Sequence, residues 1–246
     1  MNPAQDHFTA IAKQYSKGRF GYPAELFQYL RSLCATGDLA WDCATGSGQA
    51  AVGLADHFLS VVATDISHAL LELALRHPRI TYRQSTAEKS GLDPRSADLI
   101  TVAQAIHWLD LEVFWDEVRR VLKPGGVFSF WGYTWPVLGN GVDGVLLELR
   151  RCVAPYWPER SALLQSDYVT LQPPFEEIAH PQLQISATWG LDDYLAHLRS
   201  WSAIRYYKEA KNEDIVAKFE PQFASRWADT HRIVVWPLHL RVFRNI

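Results

Sequence analysis

The chain predicts an α/β fold in which a mainly parallel sheet carries helices on both faces. Three observations lead there. Apolar runs fit for buried strands alternate with helical patterns from Leu39 to Gly132. The first run, Leu39-Ala40-Trp41, passes through Asp42-Cys43-Ala44-Thr45-Gly46-Ser47-Gly48 into a helix with Val52, Leu54, Ala55 and Phe58 on its apolar face. Polar and aromatic residues suited to chemistry then fall after successive strands: Asp42, Asp65, Ser85 to Glu88, Gln104 to Trp108 and Trp131 to Trp135. Sheets of this kind bind ligands off the carboxyl ends of their strands.

Each element can be justified in order. Phe8, Ile11, Ala12 and Tyr15 share a face of a helix over Asp6–Tyr15. A mixed aromatic and basic loop follows, with Tyr15, Arg19 and Tyr22 able to reach a carboxylate, or else to serve as a plain connector. Pro23 suits the first position of a helix bearing Leu26, Phe27, Leu30 and Leu33. At the glycine turn, positive φ and the missing Cβ let a ligand lie on the backbone, and the free N–H groups of the next helical turn face it. Nineteen residues past Gly46, the run Val61-Val62-Ala63 ends in Asp65, a spacing suited to an acid that grips ribose hydroxyls. Ser67 to Arg76 reads as a helix with Leu70, Leu71 and Leu75 inward, and strands follow at Ile80–Gln84 and Ala97–Ala103. Leu111–Leu122 is helical, Lys123-Pro124-Gly125-Gly126 is a sharp turn, and Val127–Gly132 is the fifth strand. Beyond Thr134 the alternation lapses. Val142–Val153 reads as a helix, Leu183–Trp189 as a sixth strand, and Arg232–Phe243 as a long closing strand, with helices from Leu191 and from Asp214 between them.

Composition narrows the function classes. The 246 residues suit one elaborated domain, and 48% hydrophobic with 21% charged residues is the balance of a globular chain with a real core. A net charge of -3 and the lack of any Lys/Arg-rich block give no reason to expect nucleic acid or an anionic membrane. Three scattered cysteines (Cys34, Cys43, Cys152) fit free thiols in a reducing compartment, and no stretch has the length of a signal core or a membrane span, so a cytoplasmic protein is expected. The nine histidines show no ligand spacing, so no metal is expected.

Gly46-Ser47-Gly48-Gln49-Ala50-Ala51 also fits the Gly-x-Gly-x-x-Ala dinucleotide pattern, which keeps a nicotinamide oxidoreductase as a rival. Asp42 speaks against it. At the strand end it could accept from an ammonium, whereas it would repel a pyrophosphate.

Taken together, Asp42 to Gly48, Asp65 and Leu122-Lys123-Pro124-Gly125-Gly126 resemble the motifs of class I S-adenosylmethionine-dependent methyltransferases, with Ala44 where a first glycine is commoner. Ala103 to Trp108, Phe130 to Tyr133 and the Arg19 to Pro23 loop are similar to a small-molecule branch of the methyltransferase type 11 kind that includes trans-aconitate methyltransferase-like proteins. The resemblance implies a Rossmann-like seven-stranded sheet, and an aromatic-rich helical lid after the fifth strand. It divides the chain into a core at 1–135, a lid at 136–180 and a C-terminal part at 181–246 that completes the sheet. It implies S-adenosylmethionine as cofactor, held by Tyr15, Arg19, Asp42, Ala44, Gly46, Gly48, Asp65, Ile66, Ala87, Glu88 and Gln104. Glu88 reads equally as a helix-start acid. A small-molecule acceptor, with a carboxylate as one candidate, would meet Tyr22, His107, Trp108, Trp131, Tyr133 and Trp135. His107 is the candidate base if the acceptor is a phenol, alcohol or amine, and otherwise an anchor or a satisfied core side chain. Monomer and homodimer both fit. A protein that binds the cofactor without catalysis is the third reading.

Overall fold

The computed structural model of the chain describes residues 21–139, 141–227 and 230–246. Five central strands form, Leu39–Cys43 (β1), Ser60–Asp65 (β2), Ile80–Gln84 (β3), Ala97–Ala103 (β4) and Leu122–Gly132 (β5), buried on both faces except at the edge strand β3, which is half-buried to exposed. They run parallel in the order β3-β2-β1-β4-β5. His239–Arg244 (β9) adds antiparallel to β5, and the two-residue Glu176–Glu177 (β6) closes the sheet at seven strands. The expected seven-stranded, mainly parallel sheet is therefore present.

Side-chain alternation splits the core in two. Ala40, Val61, Ala63, Leu99, Val127 and Trp131 point to one face, where they meet helices Ala24–Ser32 (α1) and Gln49–Ala55 (α2). Trp41, Val62, Ile100, Phe128 and Phe130 point to the other, against Phe114, Val118 and Val121 of helix Leu111–Val121 (α4). Between β2 and β3, His68–Glu72 (α3) is capped by the Ser67 hydroxyl, which accepts from the Leu70 N–H.

Several expectations need correction. Pro23 is the N-cap of α1 rather than its first residue. The apolar face of α2 is Ala50, Ala51, Leu54 and Ala55, while Val52 lies half-buried to one side. The helix after β2 ends at Glu72, and Leu75 is exposed, because the chain there turns back so that the Leu75 N–H bonds Ser47 O and its carbonyl accepts from Tyr82. The Lys123 to Gly126 turn is absorbed into β5 as a bulge: Ala97 pairs with Leu122 and Leu99 with Val127.

After β5 come Val142–Val153 (α5), the one-turn Ala162–Gln165 (α6), Gln184–Trp189 (β7), Leu191–Arg199 (α7), Ser202–Lys211 (α8), Ile215–Trp227 (α9) and Arg232–Pro237 (β8). β7 does not join the main sheet; it pairs antiparallel with β8 in a separate two-stranded sheet. The closing apolar run is consequently two strands, because Pro237 has no N–H to continue a ladder and the chain crosses there from one sheet to the other. The expected helix at Asp6–Tyr15 lies outside the described residues.

Candidate active site

The order of strands reverses between β1 and β4, so a crevice opens at their carboxyl ends. The glycine turn forms one side of it. Ala44, Gly46 and Gly48 have φ of 54°, 58° and 88°, three left-handed residues in five. The two glycines serve different ends. A Cβ at Gly48 would lie 2.3 Å from the Tyr82 hydroxyl, whereas one at Gly46 would have nothing within 4 Å. Gly48 is thus packed from behind, and Gly46 leaves a bare backbone face open.

Asp65 at the end of β2 ties this turn together. One carboxylate oxygen accepts from the Gly46 N–H at 2.8 Å and the other from the Ser67 N–H at 2.8 Å. Just beyond, Ser85 Oγ is buried with no hydrogen-bond partner among the described residues, and the Ser85 N–H donates to Asp65 O. Ile66 is half-buried, and its carbonyl accepts from Gln84. Ala87 is buried, and Glu88 accepts from the Asp110 N–H at the start of α4. Of the two readings of Glu88, the helix-start acid describes its bond, although the helix is the one following Asp110.

Asp42 is not at the surface of the crevice. It is wholly buried, with one oxygen accepting from the Thr101 hydroxyl at 2.8 Å and the other from the Thr45 hydroxyl. Burial, outweighing those bonds, raises its carboxyl to about 6. The strand pleat turns this side chain under the glycine loop, so it braces the loop instead of offering an oxygen to an ammonium, and it gives no argument against a pyrophosphate.

At the ends of β4 and β5 the structure gathers a second group. Gln104 stands at φ 57°, its N–H donates to Trp131 O, and its side-chain Nε2 donates to Tyr133 O at 2.9 Å. Its Oε1 is buried without a partner among the described residues, as are Trp131 Nε1, His107 Nδ1 and the Tyr168 hydroxyl. Tyr22 meets Trp131 edge-on at 5.4 Å, and the His107 ring lies 5.3 Å from Trp108 and 6.4 Å from Tyr168. Burial lowers the His107 imidazole to about 4, so it is neutral at pH 7. The same histidine borders an open cleft of about 730 Å³ with Asp110, Glu112, Glu159 and Arg160 on its rim.

Not every expected residue joins. Trp135 packs edge-on against Trp157 and Trp201, with the Arg150 guanidinium 4.3 Å over its ring, so its surroundings are a separate aromatic cluster. Tyr15 and Arg19 lie outside the described residues. Sequence reasoning missed Tyr168, Thr45 and Thr101. Nothing local marks Tyr168, and the two threonines were readable only as strand and loop residues. Among the described residues no cluster of His, Cys, Asp and Glu could hold a metal ion, and no helix is long and apolar enough to cross a membrane.

Comparison with known proteins gives this crevice a context. A methyltransferase-domain family matches residues 41–130, the stretch from β1 to β5. The chain is 31% identical over 230 residues to a Dictyostelium discoideum protein named as a methyltransferase, covering 92% of this chain and 88% of that one. It is 32% identical over 178 residues to an uncharacterized methyltransferase of Mycobacterium tuberculosis, covering 72% and 69% respectively. Among solved structures, a protein described as a type II methyltransferase from Anaeromyxobacter dehalogenans is 38% identical and superposes with a TM-score of 0.88 over 93% of this chain and 98% of its own. Sequence, fold and the glycine crevice at β1 agree: the chain belongs to the class I S-adenosylmethionine-dependent methyltransferases.

Proposed function

We propose that the protein binds S-adenosylmethionine against the Gly46 face and transfers its methyl group to a small-molecule acceptor held at the ends of β4 and β5. One observation carries the reading. The Gly46 backbone is bare on its outer side, Asp65 accepts from its N–H, and Ser85, with an unpartnered hydroxyl, bonds the Asp65 carbonyl from the end of β3. These groups fit a nucleoside: Asp65 accepts from ribose hydroxyls, Ser85 Oγ meets a polar edge, and Ala87 and Ile66 supply apolar contact. Asp42 acts from behind by holding Thr45 and Thr101.

When bound, the cofactor supplies a methyl carbon already activated by the sulfonium. The chain's own residues then align the acceptor and exclude water. Trp131 and Tyr22 wall the acceptor side, and Tyr133 contributes the carbonyl that orients Gln104. His107, uncharged, anchors the acceptor or takes a proton on a ring nitrogen if the acceptor carries one. A carboxylate acceptor would need no base. It would need a cation, and Arg19 is the candidate for that.

The test is a calorimetric titration with S-adenosylhomocysteine, run beside NADH, in wild type, Asp65→Ala and Asp65→Asn. Micromolar binding of the nucleoside, lost in Asp65→Ala and weakened about tenfold or more in Asp65→Asn, supports the reading. Melting curves of each variant separate lost binding from a lost fold. Tighter binding of NADH, or affinity indifferent to Asp65, sinks it.

A further inference from the structure

The open cleft that His107 borders, about 730 Å³, has the size of a small-molecule site. His107 is the one buried residue among those lining it; the start of α4 and the stretch from Glu159 to Thr170 line the rest. That stretch is held in place. Asp167 and Tyr168, just after Ser166 of the lining, are consecutive residues in the left-handed region, with φ of 55° and 61°, and such a pair persists only where the surroundings fix it. β9 does so. His239 Nε2 lies 3.0 Å from Asp167 Oδ1, and Arg241 Nη1 donates to Tyr168 O at 2.9 Å and to Leu171 O at 3.3 Å.

The cleft has an apolar body and a charged rim. Leu109, Leu111 and Leu163 are half-buried in its lining. On the rim, Asp110, Glu112 and Glu159 are exposed, and none of their carboxylates has an ion pair or a hydrogen bond among the described residues. Arg160 is the only cation lining the cleft among those residues. Its Nη1 donates to Trp108 O at 3.0 Å, which ties it to the turn carrying His107 and not to a carboxylate. His107 supplies an independent sign of a ligand. It is 7% exposed, and its Nδ1 is sealed off with no hydrogen-bond partner among the described residues. With Nδ1 closed off, the ring meets the cleft by the edge that bears Nε2. Burial keeps the imidazole uncharged, so it does not repel a cation.

We propose that this cleft recognises the methyl acceptor and selects acceptors that carry an ammonium or similar cationic group. The cation meets Asp110, Glu112 and Glu159 at the rim, an apolar body lies on the leucines, and the inner end reaches the Nε2 edge of His107. A protonated amine has no lone pair to methylate, so the cation is a handle and the reacting atom lies at the inner end. A carboxylate in place of the cation would face three like charges and one guanidinium, and is disfavoured. The inference rests on the methyltransferase reading for calling the ligand the acceptor.

The test uses the full chain and three probes with one body and three charges: phenethylamine, 2-phenylethanol and 3-phenylpropanoate. Ligand-observed NMR titrations at low salt should rank the amine about threefold or more above the alcohol and about tenfold or more above the carboxylate. Both ratios should shrink in about 0.5 M salt. Glu112→Gln combined with Glu159→Gln alters two exposed side chains. It should bring the amine to within about twofold of the alcohol. Ala162→Trp, at an exposed lining position, fills the cleft and should weaken all three probes about fivefold or more. Both variants should keep the wild-type melting temperature and bind S-adenosylhomocysteine within about twofold of wild type. No probe binding by wild type, equal affinity for the three, a preference for the carboxylate, a preference that survives in the double variant, or amine binding indifferent to Ala162→Trp each overturns the inference. So does displacement of phenethylamine by saturating S-adenosylhomocysteine, which would assign the cleft to the cofactor. Failure of the cofactor reading shows separately, as no binding of S-adenosylhomocysteine by wild type, and the probe series without it still decides the charge preference of the cleft.

Discussion

At Gly46 and Gly48 the same residue type answers two different demands, and substitution separates them. Gly48→Ala would drive a methyl into the Tyr82 hydroxyl, which in turn holds Leu75 O. With φ at 88° as well, a stability loss of about 2–4 kcal/mol is expected in urea unfolding. Gly46→Ala meets no neighbour, so only the backbone cost of about 1–2 kcal/mol applies to folding. Its larger effect should be on S-adenosylhomocysteine affinity, since the methyl occupies the open face. Equal loss of stability in both variants would contradict this division. Asp42 makes a further prediction at the same scale. Its carboxyl, raised by burial from 3.8 to about 6, holds its proton more tightly in the folded than in the unfolded chain. This contribution is fully present below about pH 4 and is lost as pH rises through about 6, amounting to about 3 kcal/mol. Asp42→Asn removes that dependence, so the stability difference between variant and wild type should shift in the variant's favour across that window when unfolding is followed at several pH values.

Among the elements, β5 begins in a bulge whose lysine acts far from the crevice. Lys123 Nζ lies 2.7 Å from Asp98 Oδ1 and 2.9 Å from Asp38 Oδ2, at the amino ends of β4 and β1. Asp98 also accepts from the Thr36 hydroxyl and from the N–H groups of Asp38 and Leu39. Burial opposes its ionisation, yet Lys123 and these donors hold the carboxyl below its ordinary value. Lys123→Met leaves a nearly buried carboxylate short of its cation, with an expected cost of about 2–3 kcal/mol and no change in S-adenosylhomocysteine affinity. Calorimetry of the folded variant checks the second half. This network also explains what could be read in advance. Lys123 to Gly126 pointed to the family from sequence, although the residues serve the floor of the sheet and not the crevice. β1, β2, β4 and β5 were legible because burial on both faces leaves unbroken apolar runs such as Val61-Val62-Ala63. β7 and β8 were misassigned because a period of two is the same in a separate pair as in the main sheet. Asp65 was legible by its spacing from the glycines. The under-loop position of Asp42 was not, since it depends on which way the pleat turns at one residue. Tyr168 was invisible, because its direction is set by two residues of β9 that are remote in sequence.

The whole molecule closes around a contact between distant parts of the chain. β9 lies inside the sheet, between β5 and β6, and Ser129 bonds Arg241 O across a separation of 112 residues. Until residues 239–244 dock, one side of β5 is a bare strand edge carrying Phe128, Phe130 and Trp131, all wholly buried in the finished fold. Such an edge recruits whatever strand reaches it, including that of another molecule. The consequence is kinetic: recovery from denaturant should be a race between intramolecular docking and intermolecular pairing. Refolding yield, followed by tryptophan fluorescence and light scattering, should fall steeply as protein concentration rises from about 1 to about 10 μM, while the rate of the productive phase stays constant.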